Sequence, residues 1–230
     1  MITAAILDLD GVIVDSEPLH YRSEKEMLSK RGVDLRPGDV KEIVGRTEME
    51  GIEYLRSRFG LKDSANQLYN EKQRIYKRML RKSVKPRRGL FELLDVLEEE
   101  GLTLAIASSA PRENIDIVLR ALHIKHRFRA VVSGDDVGRG KPFPDIFLLA
   151  AKRIGAEPKN CLVIEDAQNG VEAAKRAGMT CVAVPNQFTQ DQDFSAANAV
   201  ARGLEEIDLK LIRQINGRSI DHDRTSPSSE

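Results

Sequence analysis

No stretch of this 230-residue sequence approaches the roughly 18 consecutive apolar residues that a bilayer-spanning helix needs. Charge excess is also missing, since 36 Lys+Arg balance 36 Asp+Glu. A chain without net charge has no overall field to draw in nucleic acid or an anionic membrane surface, and only a local basic pocket for a small anion stays open. Cysteine is scarce. Cys161 and Cys181 each begin a β-branched run outside any CxxC pair and read as buried small hydrophobes. A disulfide between neighbouring strands is the alternative, disfavoured in a reducing compartment. The opening residues, MITAAILDLD, carry no basic leader and reach acidic residues after a short apolar run, so they do not read as a secretory signal. There is no internal repeat. The expectation is a cytoplasmic globular protein, long enough to bury a full core.

What is present is a rhythm. Short, nearly continuous apolar runs at 2–7, 102–107, 130–133, 161–164 and 180–184 have the pattern of strands covered on both faces. Helical patterns separate the last four: Ile115, Val118, Leu119 and Leu122 share one face, Ile146, Leu149 and Ile154 mark a second, and the Ala-rich stretch 171–177 stops at Gly178. Such alternation predicts an α/β fold with a doubly wound, Rossmann-like parallel sheet. The segment from about 16 to 84 breaks the rhythm. It holds helical patterns near 18–31, 48–59 and 64–81 and no convincing strand, which is too long for an ordinary crossover. It reads as a small helical domain inserted into a core made of 1–15 and 85–217. Residues 218–230 read as a flexible polar tail.

Four groups of chemically capable residues follow the predicted strands. Asp8 and Asp10, two apart after the first strand, can face one crevice. Their mutual repulsion suits one ionised nucleophile and one proton carrier, although DxDG is also common in plain turns. Glu165-Asp166 ends another strand, as a hard-cation site or as acid favourable to a helix N-terminus. Ser108-Ser109 reads as an anion site or an ordinary N-cap for the helix after Pro111. Gly140-Lys141-Pro142 presents a lysine in a stiff loop, or only surface charge. Each group alone is ambiguous; together they fall at the strand ends of one sheet, as a single active site requires.

The order DLDGV (8–12), ASS (107–109), GKPFPD (140–145) and IEDAQNG (164–170), with DSEPLH (15–20) leading into the helical insertion, resembles the haloacid dehalogenase superfamily, in particular its phosphatase and β-phosphoglucomutase-like subfamily with a helical cap. That resemblance implies an intracellular, magnesium-dependent enzyme acting on small phosphorylated metabolites, a monomer or weak homodimer with no nucleic-acid or membrane partner. It implies Asp8 as the nucleophile attacking phosphorus and Asp10 as general acid, then base. Asp8, the Asp10 carbonyl and Asp166 would form the Mg2+ shell, with Glu165 a direct or indirect partner. Ser108 and Lys141, with Ser109 beside them, would hold phosphate. About five or six strands in the order 3-2-1-4-5 are expected.

The cap then chooses the substrate. His20, Arg46 and Thr47 are the candidate substrate residues. Glu17 either joins them or merely starts a helix with Pro18. His20 also reads as a packed or surface histidine, and His123, His126 and His222 read as surface residues. Mutase relatives usually carry a cap arginine just after Gly-x-Ser/Thr. Here Gly45-Arg46-Thr47 is followed by Glu48, a departure that favours hydrolysis over phosphosugar transfer. Lys85-Pro86-Arg87-Arg88 reads as solvated surface charge. The expected activity is hydrolysis of a sugar phosphate or phosphoglycolate-like ester. The alternatives are a phosphosugar mutase and a phospho-ligand-binding regulator without turnover.

Overall fold

A computed structural model of the chain describes residues 1–222 apart from 41, 42 and 44–46, with the side chains of 218–222 also left undescribed. Elements follow in the order β1 (Ala4–Leu7), α1 (Glu17–Ser29), α2 (Pro37–Val40), α3 (Glu48–Arg58), α4 (Ala65–Leu80), α5 (Leu90–Glu99), β2 (Thr103–Ala107), α6 (Arg112–Ala121), β3 (Ala130–Val132), α7 (Asp145–Ile154), β4 (Cys161–Glu165), α8 (Gln168–Arg176), β5 (Thr180–Ala183), β6 (Ala199–Val200) and α9 (Leu209–His222). The strands form one parallel sheet in the order β3-β2-β1-β4-β5-β6. This is the expected order with β6 added at one edge. Only two residues long, β6 was too short to show a periodicity.

The central strands are buried on both faces, and their alternation divides the core. Leu7, Leu104, Ile106, Leu162 and Ile164 face one layer, where they meet the leucine stripe of α5, Ile115 and Val118 of α6, and Ile212 of α9. Ala4, Ala105, Ala107, Cys161 and Cys181 face the other, against Phe147 and Ala150 of α7 and Ala173 and Ala174 of α8. Small residues on that face let helices approach the sheet closely. Both cysteines are free and buried, so the small-hydrophobe reading holds.

Between β1 and α5, helices α1 to α4 build a separate apolar cluster from Met27, Leu28, Leu35, Ile52, Leu55, Leu68 and Ile75. Capping boxes start α3 at Thr47–Glu50 and α4 at Ser64–Gln67, each satisfying otherwise orphaned backbone N–H groups. Tyr76 and Leu80 of α4 instead pack into the sheet-side core, which ties the insert to the body. Helix α9 extends to His222, past the start of the expected tail; residues 223–230 lie outside the described residues. Among the described residues no helix is long and apolar enough to cross a membrane.

Candidate active site

Strand order reverses at β1, which pairs with β2 on one side and β4 on the other. The register Leu7↔Ile164 brings Asp8 beside Glu165 and Asp166 as both strands end. All three carboxylates are buried, with an oxygen from each within 4.8 Å of the others. Lys141, from the loop before α7, donates from Nζ to Asp8 Oδ1 at 2.6 Å and to Glu165 Oε1 at 2.7 Å, over the Phe147 ring. Two glycines make room. Gly11 has φ +75°, and a Cβ there would collide with the Asp166 carboxylate; a Cβ on Gly170 would collide with Glu165.

One ammonium among three buried carboxylates leaves two formal negative charges uncompensated. Burial pushes the Asp8 carboxyl up to about 7, with Glu165 and Asp10 adding to the rise and Lys141 opposing it. Asp166 is driven well above the usual carboxylate range by burial, then by Glu165 and Asp8. Burial works to lower the Lys141 pKa, but Asp8 and Glu165 outweigh it and keep the ammonium charged. Glu165 has both oxygens engaged, since Oε2 accepts from Ala167 N–H at 2.7 Å. It therefore holds Lys141 and the entry to α8 together.

Asp10 points away from this cluster, its Oδ1 3.8 Å from His20 Nε2. Burial acts to raise its pKa, but His20 and Lys72 outweigh it and hold the carboxyl below the usual range. His20 is both packed and at the site: it stacks on Tyr76 at 4.3 Å between ring centroids and lines the cavity. Thr47 also lines the cavity, while its hydroxyl and backbone N–H both engage Glu50. Glu17 sits in the first turn of α1 and also on the cavity wall, so starting the helix does not take it away from the crevice. Arg46 lies outside the described residues. Ser108 is buried at the end of β2, and its Oγ accepts from Ala110 N–H at 3.1 Å. The N-cap of α6 is Pro111, so capping is not the role of Ser108. Ser109 is exposed on the cavity wall. His123 and His126 are exposed, as expected.

Three contributors escaped the sequence reading. Asn186, just past β5, donates from Nδ2 to Asp166 Oδ2 at 2.7 Å; the strand-end logic applied to the other strands also points to it. Lys72 is 2% exposed and bonds Glu48 Oε1 at 2.8 Å and His20 Nδ1 at 2.9 Å. Its signal was positional, since Lys72 falls on the same α4 face as Leu68, Ile75 and Tyr76. Arg87, whose sequence context reads as surface charge, is half-buried and donates to the carbonyls of Gly11, Val184 and Pro185, clasping the loop after Asp10 to the end of β5. Lys85 and Arg88 are exposed.

Asp8, Asp10, Lys141 and Asp166 on the sheet side and His20 and Lys72 on the insert side border a cavity of about 570 Å³. The family model for haloacid dehalogenase-like hydrolases matches residues 5–184. The chain belongs to that family. It is 32% identical over 217 residues to a phosphorylated carbohydrates phosphatase of Thermotoga maritima, covering 92% of this chain and 99% of that protein. It is 30% identical over 223 residues to hexitol phosphatase B of Escherichia coli O157:H7, covering 91% and 96%. The structure of a β-phosphoglucomutase from Clostridium difficile superposes with a TM-score of 0.80 at 26% identity, covering 96% of this chain and all of that one. By class the haloacid dehalogenase-like chain is a phosphoric monoester hydrolase, related to sugar-phosphate phosphatases and mutases.

Arg87 supplies a test of this geometry. Replacing it by Met keeps the length and removes every donor, leaving half-buried carbonyls without a partner. The expected cost is about 1–3 kcal/mol in stability from denaturant unfolding. A fall of at least ~10-fold in kcat/KM for phosphate-ester hydrolysis is expected as the Asp8–Gly11 loop loosens. Unchanged kinetics in the folded variant would mean that the loop is held without Arg87.

Proposed function

We propose that the chain hydrolyses a small phosphomonoester of the sugar-phosphate kind through an aspartyl-phosphate at Asp8, with Mg2+ as cofactor. The observation that carries this reading is the buried Asp8–Lys141–Glu165–Asp166 cluster opening onto a cavity. Asp8 Oδ attacks phosphorus as the bond to the leaving oxygen breaks, and Asp10 gives that oxygen its proton. Asp10 stands outside the carboxylate cluster beside His20, free to do this. The dianionic ester arriving beside it raises its proton affinity. Water then attacks phosphorus, surrendering a proton to Asp10, and the Asp8–phosphorus bond breaks to release inorganic phosphate. Lys141 and the Ser108 hydroxyl, with Ser109 at the rim, hold the phosphoryl oxygens.

The residues fit a divalent cation. Three carboxylates at close range share the one Lys141 ammonium, and the proton affinities of two of them, Asp8 and Asp166, are raised accordingly. Asp8 and Asp166 would hold the cation with the Asp10 carbonyl. When bound, magnesium neutralises phosphoryl and carboxylate charge during transfer. Glu165, with both oxygens committed, positions Lys141 instead. We read residues 16–84 as a cap domain over the core of 1–15 and 85–217, shielding the reacting atoms from bulk water.

Asp8→Asn tests the nucleophile. It is expected to retain the fold and lose at least ~10³-fold in phosphate release from a panel of phosphorylated metabolites, because a covalent route is removed. Retention of a tenth of wild-type activity would sink the assignment. The metal is tested separately. Activity should vanish in excess EDTA, return with magnesium, and be inhibited by calcium, whose longer bonds and larger shell draw both oxygens of a carboxylate onto the ion. Full turnover in EDTA would remove the cation from the mechanism.

A mutase is the second reading, favoured by the phosphoglucomutase structure above and by Lys72 as a buried cation on the insert. Glu48 argues against it. Its Oε1 neutralises Lys72 and its Oε2 accepts from Gln73, so a distal phosphate would meet a paired lysine and a carboxylate. Phosphorus NMR with β-glucose 1-phosphate and a trace of the 1,6-bisphosphate should show inorganic phosphate as the main product. Faster conversion to glucose 6-phosphate would overturn hydrolysis.

A further inference from the structure

Asp10 and Glu24 each bring to the cavity wall a buried carboxylate oxygen without a hydrogen-bond partner, but Asp10 faces His20 at 3.8 Å and has a part in the reaction above, whereas Glu24 has none. It lies on α1 with Glu17 and His20, at the spacing that places residues 17, 20 and 24 on one helix face. It lines the cavity, is 7% exposed, and its Oε2 has no hydrogen-bond partner. The donors nearest in chemistry are already committed: Lys72 to Glu48 and His20, and Gln73 to Glu48. A buried carboxylate oxygen without a donor is costly, and burial raises the Glu24 pKa as a result. Such a group on a cavity wall is satisfied by a donor on the ligand. The same insert-side wall includes Val40, Ile43, Met49 and Tyr69. A leaving group with a C–H face and hydroxyl groups meets both requirements, and a purely alkyl one does not.

We propose that Glu24 is the specificity-determining residue for the leaving group, its unpaired carboxylate oxygen accepting a hydrogen bond from a hydroxyl of the phosphorylated polyol or sugar. This rests on the phosphatase reading above and adds to it a requirement for a donor at a named residue. Sites built to receive a hydroxyl discriminate strongly against analogues lacking it, because the site's own polar group is then left unpaired.

The test measures kcat/KM in magnesium for polyol phosphates of three to six carbons against n-alkyl phosphates of equal chain length. It uses the wild type, Glu24→Leu and Glu24→Gln, each checked for folding by circular dichroism. The wild type is expected to prefer the polyol ester by at least ~30-fold at one chain length or more. Glu24→Leu should bring that ratio within about threefold of unity, and Glu24→Gln, which keeps an acceptor oxygen, should hold an intermediate ratio. Should the Leu variant not fold, Glu24→Met, closer in shape, takes its place. Equal wild-type kcat/KM for the two series overturns the role of Glu24 and leaves the phosphatase reading standing. So does a preference that survives loss of the carboxylate in a folded variant. Release of phosphate from neither series, nor from p-nitrophenyl phosphate, overturns both.

Discussion

The Lys141 ammonium between Asp8 and Glu165 is the contact on which the rest of the site depends. Parallel pairing of β1 with β4 forces carboxylates from two strand ends into one buried volume, where their repulsion is barely screened. Without the lysine the strand ends would have to separate or take up protons. With it, Asp8 and Glu165 are each tied down by a short charge-assisted bond, and Phe147 packs beneath. The adjoining sequence bends to this constraint. Gly11 and Gly170 are glycines because a Cβ at either would strike a carboxylate of the cluster. The loop before α7 returns the Lys141 side chain to the centre of the sheet's edge. With three carboxylates and one ammonium the cluster is formally two positive charges short, and that deficit makes it suited to a divalent cation.

A second buried network faces it from the insert. Lys72, Glu48 and Gln73 bond one another and reach His20, and Asn114 of α6 donates to Gln73 at 3.2 Å. Through that last bond the insert is fastened to the body, alongside Lys77 and Arg81 with Glu113. The two networks differ in balance. The one around Lys141 carries excess negative charge, while in the other Lys72 is neutralised by Glu48. His20 and Asp10 lie where the two meet. A phosphate ester lodged in the cavity would therefore touch a charge-deficient end and a charge-satisfied end, and the satisfied end has little to offer a second phosphate.

Much of the fold was legible in the chain. Continuous apolar runs predicted β1 to β5 because both faces of a parallel sheet are covered and no alternation is demanded. The apolar faces at 115–122 and 146–154 and the alanine-rich stretch 171–177 predicted α6 to α8 for the complementary reason. The long helical stretch between β1 and α5 was legible from its length and its want of strand patterns. What escaped were short or conditional elements: β6, too brief for a period; α2, which begins at a Pro-Gly pair that reads as a turn; and α9, whose polar face resembled a tail.

For the site, residue type and position after a strand sufficed to single out Asp8, Asp10, Ser108, Lys141, Glu165 and Asp166, since a strand's carboxyl end is a fixed place in this kind of sheet. Their partners were another matter. Whether Arg87 meets water or the Gly11 carbonyl, whether Lys72 is solvated or buried against Glu48, and whether Glu24 finds a donor all depend on segments far apart in sequence being packed together. Periodicity and spacing describe neighbours along the chain, whereas burial and charge pairing are set by neighbours in space. The sequence by itself therefore determined most of the sheet, the helices that cover it and which carboxylates stand at its strand ends. Only the tertiary structure decided which charges are compensated and which buried oxygen is left without a donor.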